Sequence, residues 1–177
     1  MNPLLQIKNL VTEFSSDGVK TTAVKGISFS LNKGETGGVV GESGSGKSVT
    51  SLSVMRLIPN PPGKIVSGEI LYTNRQGKEI NLLNLSEKEM RKYRGNEIAM
   101  IFQEPMTSLN PVFTCGMQVM EALQLHKGLS KKEAKIRTLE LFNKVKLPRP
   151  DSSFDSYPHR ISGGQKQRVM IAMAMSC

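Results

Sequence analysis

The sequence predicts an α/β fold with an antiparallel β portion and a helical portion, and three observations carry that expectation. A short uncharged run, Thr36-Gly37-Gly38-Val39-Val40, leads straight into a glycine-rich loop, Gly41-Glu42-Ser43-Gly44-Ser45-Gly46-Lys47-Ser48. Apolar residues then recur at helical spacing, Val49, Leu52, Met55 and Ile58, until Pro59 stops the pattern. Before the loop the apolar residues alternate with polar ones, as in antiparallel strands, whereas the second half of the chain is patterned for helices.

In chain order, Leu5 and Ile7 alternate with Gln6 and Lys8, and Val11 with Thr12 leads to Phe14 before the turn Ser15-Ser16-Asp17-Gly18. A strand and hairpin are expected there, with Phe14 in the core. Val24, Ile27, Phe29 and Leu31 carry the second strand, and Asn32-Lys33-Gly34 turns the chain toward residues 36–40, which read as a buried strand. Pro59, Pro61, Pro62 and Gly63 form a stiff connector, after which residues 68–73 resume a strand that 74–77 turn back toward Ile80 and Leu82. Ser86-x-x-Glu89 is a capping box opening a short helix that Gly95 can end, and Ile98-Ala99-Met100-Ile101-Phe102 fits a buried parallel strand delivering Gln103. Helical patterns follow over 115–126 and 131–146, the second opened by Ser130-x-x-Glu133 with Ile136, Leu139, Phe142 and Val145 on one side. Pro148, Pro150 and Asp151-Ser152-Ser153 interrupt that insertion, and Ser162-x-x-Gln165 opens a last helix whose apolar side is Val169, Ile171, Ala172 and Met175.

The loop 41–48 fits G-x-x-x-x-G-K-[ST] at every fixed position, a pattern that binds nucleotide triphosphates when it lies between a strand and a helix. Glycines let the main chain curl its N–H groups around a polyphosphate, Lys47 is placed to reach the β- and γ-phosphates, and Ser48 offers a hydroxyl to Mg²⁺. Gly163 and Gly164 leave a second helix start unobstructed, and hence a second anion site. Gln103, at a strand end, stands where open α/β sheets gather ligands.

At 177 residues the chain has enough length for a core, and no apolar run reaches the ~18 residues of a membrane span. Its start does not resemble a cleaved signal peptide, so a cytoplasmic location is expected. Cys115 and Cys177 are far apart and outside any metal-ligand spacing, which predicts free thiols, and His126 and His159 have no partner at ligand spacing. The net charge of +9 suits a nucleotide, a nucleic acid or an anionic membrane surface without choosing among them.

Three stretches, G-E-S-G-S-G-K-S, I-F-Q-E-P-M-T-S-L-N-P (101–111) and Y-P-H-R-I-S-G-G-Q-K-Q-R-V (157–169), together resemble the ATP-binding cassette (ABC) family. More narrowly they resemble its oligopeptide and dipeptide importer ATPases, whose relatives include nickel importers. The resemblance covers nearly the whole chain. It implies a P-loop NTPase-like ABC ATPase core with an antiparallel β subdomain and a helical insertion, divided as 1–111 (core with the Walker A loop), 112–160 (insertion) and 161–177 (signature motif and following helix). By the same resemblance Gly41, Glu42, Ser43, Gly44, Ser45, Gly46, Lys47 and Ser48 bind ATP, Phe14 stacks on adenine, and Ser48 and Gln103 contact Mg²⁺. Gln103 is also the Q-loop glutamine of the water region. Ile161, Ser162, Gly163, Gly164 and Gln165 form the signature that meets ATP in trans, with Ile161 in place of the usual leucine.

In that family two ATPase subunits close head to tail on ATP. The implied partners are a homologous ATPase, two membrane-spanning permease subunits and, indirectly, a substrate-binding protein, at the cytoplasmic face of the inner membrane, with no nucleic acid. Two departures accompany the resemblance. The chain stops at Cys177, before the strand ending in Asp-Glu and the switch histidine of the family, so it reads as a piece lacking the C-terminal part of the core, with catalysis doubtful in isolation. Gly37 replaces a bulky apolar residue in the strand before the loop. Two alternatives stay open: a non-catalytic nucleotide-binding fragment, and an ABC-type ATPase of DNA repair or translation, whose long coiled coil or zinc modules the insertion does not resemble.

Overall fold

The computed structural model describes residues 3–16, 18–102 and 108–177. The chain divides into two compact units, Met1–Met90 and Arg91–Cys177.

The first unit is a four-stranded antiparallel sheet in the order β2-β1-β3-β4, with one helix attached. Its strands are β1 (Leu5–Ser16), β2 (Val19–Leu31), β3 (Gly63–Thr73) and β4 (Glu79–Asn81). The simple alternation expected of β1 slips at Asn9, which is left-handed at φ 46°, so that Ile7, Leu10 and Thr12 are the buried residues and Val11 is not. Asn9 N–H donates to Ser28 Oγ at 2.8 Å, and the Ser28 hydroxyl donates to Asn9 Oδ1 at 3.2 Å, which fixes this bulge. On β3, Gly68 faces it at φ 105°; a Cβ there would stand 2.6 Å from Leu10 Cα. Only glycine permits that approach.

Helix α1 (Lys47–Val54) follows the glycine-rich loop as expected, but it ends well short of Pro59. Arg56 turns left-handed at φ 51°, Leu57 N–H reaches back to Leu52 O and Arg56 N–H to Ser53 O, a Schellman closure with arginine where glycine is usual. Within its span the buried residues are Thr50 and Ser53, while of the apolar series read from the sequence Met55, at its C-terminal end, is buried and Val49, Leu52 and Ile58 are half-buried; the Ser53 and Thr12 hydroxyls meet at 3.0 Å and tie α1 to β1. Residues 36–40 are not a buried strand: Val39 is 61% and Val40 93% exposed. An apolar run becomes a strand only when neighbours complete its ladder, and the sheet described contains no partner for it.

Helix α2 (Glu87–Tyr93) opens with the expected capping box, in which Ser86 N–H and hydroxyl donate to the Glu89 carboxylate. The second unit is a helical cluster of α3 (Cys115–Lys127), α4 (Lys131–Lys144), α5 (Pro150–Asp155) and α6 (Gly163–Ala174). Its core gathers Val119 and Leu123 of α3, Ala134, Leu141 and Phe142 of α4, Phe154 of α5, and Val169 and Ala172 of α6. The apolar stripe read for α4 is only partly right: Phe142 is buried, yet Ile136 is half exposed, because a spacing of three drifts around a helix of 3.6 residues per turn. Likewise Met170 is buried on α6, whereas Met175 is 42% exposed. Helix α5 forms where only an interruption was expected, with Pro150 in its first turn, a position where proline loses no hydrogen bond. Residues 98–102 make a single parallel bridge, Ile98 to Arg94, and leave Ile101 and Phe102 exposed instead of forming a buried strand. As at 36–40, no neighbouring strand is present among the described residues of this unit.

Candidate functional site

The loop 41–48 is built as a tight anion cradle at the start of α1. A Cβ on Gly41 would sit 2.7 Å from Ser45 Oγ, and one on Gly46, which is left-handed at φ 89°, would sit 2.4 Å from Ala23 O of β2. The first contact curls the loop on itself, and the second presses it against the sheet. Beneath it, buried Thr50 donates both its N–H (2.8 Å) and its hydroxyl (3.0 Å) to Gly46 O. A cavity of about 300 Å³ beside the loop is lined by Thr22, Val24, Lys25, Gly44, Ser45 and Thr50 among others.

The electrostatics favour an anion. Helix α1 has no side chain capping its N-terminus, whereas α3, α4 and α6 are capped by Thr114, Ser130 and Ser162. Its first N–H groups and dipole therefore face outward from an exposed loop. Lys47 Nζ donates to Gly41 O at 2.7 Å, Glu42 O at 2.6 Å and Ser45 Oγ at 3.3 Å, which holds the ammonium over the mouth of the curl. Phosphate oxygens fit this donor set, and the exposed Ser48 hydroxyl fits a hard cation riding on them.

The signature residues form a second helix start. Ser162 Oγ accepts from Gln165 N–H at 3.3 Å and Gln165 Oε1 accepts from Ser162 N–H at 2.9 Å, the reciprocal capping box read from the sequence. Ile161 packs against the helical core and anchors the loop. Gly163 and Gly164 are exposed, and a Cβ on Gly164 would meet nothing within 4 Å. Just before it the Tyr157 and His159 rings stack, with centroids 5.7 Å apart.

Phe14 is half-buried with its ring against Gly63, where a Cβ would come within 2.8 Å of it. Gln103, with Glu104 and Pro105, lies outside the described residues. Both cysteines are free thiols, as read from the sequence; burial pushes the Cys115 thiol up to about 11 against a smaller opposing pull from Lys166, so it is no nucleophile at neutral pH. Sequence reasoning missed Arg168 of α6, whose Nη1 donates to Val145 O at 2.6 Å and Lys146 O at 3.2 Å. Its place one turn beyond Gln165 was the available signal; its acceptors were not legible.

Residues 24–177 match the ABC transporter family. The chain belongs to that family. Over 173 residues it is 51% identical to the oligopeptide transport ATP-binding protein OppD of Bacillus subtilis, covering 98% of this chain and 47% of that one. It is 48% identical to a probable peptide ABC transporter ATP-binding protein, y4tR, of Sinorhizobium fredii (98% and 50% covered) and 47% identical to the glutathione import ATP-binding protein GsiA of Pectobacterium atrosepticum (98% and 28%). The chain thus spans half or less of the length of these relatives. Among solved structures, the dimeric ATP-binding cassette MJ0796 bound to ADP and Pi is similar with a TM-score of 0.84 at 28% identity, over 97% of this chain and 69% of that one. The fold is the α/β fold of ABC ATPase cassettes.

Proposed function

We propose that the chain is the nucleotide-binding part of an ABC importer ATPase that serves peptides, the substrate class named for its relatives OppD and y4tR. The observation that carries this reading is the pairing, in one chain of the family, of an uncapped helix start behind a lysine-closed curl with a glycine-opened, unobstructed helix start at 161–165. In the first, Gly41 to Gly46 supply main-chain donors to phosphate oxygens, Lys47 exchanges its carbonyl acceptors for them, and Ser48 with Gln103 holds Mg²⁺. The ion supplies neutralisation of the phosphate charge. In the second, Ser162, Gly163 and Gly164 of one subunit meet the ATP held by another in a head-to-tail pair, a reading supported by the dimeric state of a solved neighbour. Phe14 supplies the face for the adenine ring.

No helix among the described residues is long and apolar enough to cross a membrane. The exposed apolar side chains Val112, Phe113 and Met117 at the start of α3 fit a surface facing the two permease subunits, on the cytoplasmic side of the membrane. Functionally, residues 1–111 bind nucleotide, 112–160 report its state, and 161–177 complete the partner's site; the substrate-binding protein acts through the permeases.

The test is ATP affinity. Losing an ammonium that bonds phosphate oxygens costs about 1.5–3 kcal/mol, so Lys47→Ala should weaken ATP binding roughly ten- to hundred-fold, with helix content by circular dichroism unchanged. Equal affinity for the variant would remove the loop from the site.

A further inference from the structure

We infer that Arg168 is a positioning residue for the loop 161–165: its guanidinium fixes α6 along the end of α4 and so sets where Ser162, Gly163 and Gly164 are presented. This rests on the proposed role of that loop in meeting ATP in trans. The capping box of α6 closes within Ser162 and Gln165 and shapes the helix start without fixing its place in the unit. Burial of Val169, Met170 and Ala172 holds α6 against the core, but apolar contact is non-directional and tolerates small slides and rotations.

Arg168 adds a directional contact to the end of α4. Its Nη1 is shared between the carbonyls of Val145 and Lys146, the residues that close α4. Lys146 is left-handed at φ 56°, and its N–H closes on Asn143 O while Leu147 N–H closes on Phe142 O. That closure satisfies the carbonyls of Leu141, Phe142 and Asn143, while those of Val145 and Lys146 accept from Arg168 at the negative end of the α4 dipole. A guanidinium there makes a charge-assisted bond whose direction follows from α4, and it lies three residues from Gln165, on the same side of α6.

The role is tested by sedimentation of the 177-residue chain over increasing ATP, alongside binding of a fluorescent ATP analogue at protein concentrations too low for association, and thermal melts. For Arg168→Met, the expected result is analogue affinity like wild type but at least a roughly ten-fold rise in the ATP concentration needed for association, the loss expected for one charge-assisted hydrogen bond. Arg168→Lys, which keeps the charge and one donor, should recover part of the loss. Association of Arg168→Met like that of wild type overturns the inference, as does a loss that tracks melting temperature and analogue affinity in both variants. If Arg168→Met does not fold, Arg168→Lys decides: intermediate association supports the role, and wild-type association overturns it. A wild-type chain that binds the analogue yet never associates with ATP overturns the reading of 161–165 itself, a different failure from that of the variant.

Discussion

Glu133 shows how much a single side chain can do at a helix start. Its carboxylate accepts from the Ser130 hydroxyl at 2.6 Å and the Ser130 N–H at 2.9 Å, and these bonds, the hydroxyl first, hold its pKa below the usual carboxylate range. A carboxyl group with a depressed folded pKa contributes stability above its unfolded pKa and loses it as pH falls through the folded value. Glu133→Gln should therefore be less stable than wild type at neutral pH, and thermal melts should show the gap closing as pH drops below the carboxylate range. A gap independent of pH would contradict the charged capping box. Such boxes were legible at Ser86, Ser130 and Ser162 because donor and acceptor lie three residues apart in the sequence. The left-handed closures at Arg56 and Lys146 were not, since the sequence cue for that conformation is glycine and both positions carry long cationic side chains.

Between elements, the decisive quantity is how closely two backbones approach. Helix α3 meets the Phe154 ring of α5 at Gly116, where a Cβ would stand 2.3 Å from Phe154 Cδ2. Overpacking at such a contact costs about 1–3 kcal/mol, so Gly116→Val should lower the denaturant midpoint accordingly. An unchanged midpoint would mean that the ring has room to withdraw. The helices were readable because their hydrogen bonds are internal and their periodicity is local. Residues 36–40 and 98–102 were misread as buried strands because a parallel strand is a property of its neighbours, and an apolar run carries no information about whether they are there. Helix α5 was missed for a related reason: Pro150 was read as a breaker, although at a first turn it initiates.

At the scale of the molecule, the chain carries two helix starts that face outward for different reasons. The curl at 41–48 lacks any capping side chain, whereas the loop at 161–165 is capped yet sterically open. The first was legible from a fixed motif and the second from its capping box and paired glycines, with only its role toward ATP in trans coming from the resemblance; the acceptors of Arg168, brought together by the fold, were not legible. The central claim, that one chain's curl and another's open helix start together hold one ATP, is tested most directly by mixing two crippled chains. Lys47→Ala removes the phosphate-reaching cation and leaves 161–165 intact. Gly164→Asp places a carboxylate where the structure has open space and where a helix N-terminus tolerates it, so the fold is kept while phosphate is repelled. Sedimentation with ATP should find each variant monomeric alone and an equimolar mixture forming dimers, since the mixed pair retains one complete site. A mixture that stays monomeric while wild type dimerises, or Gly164→Asp dimerising by itself, would contradict the shared site.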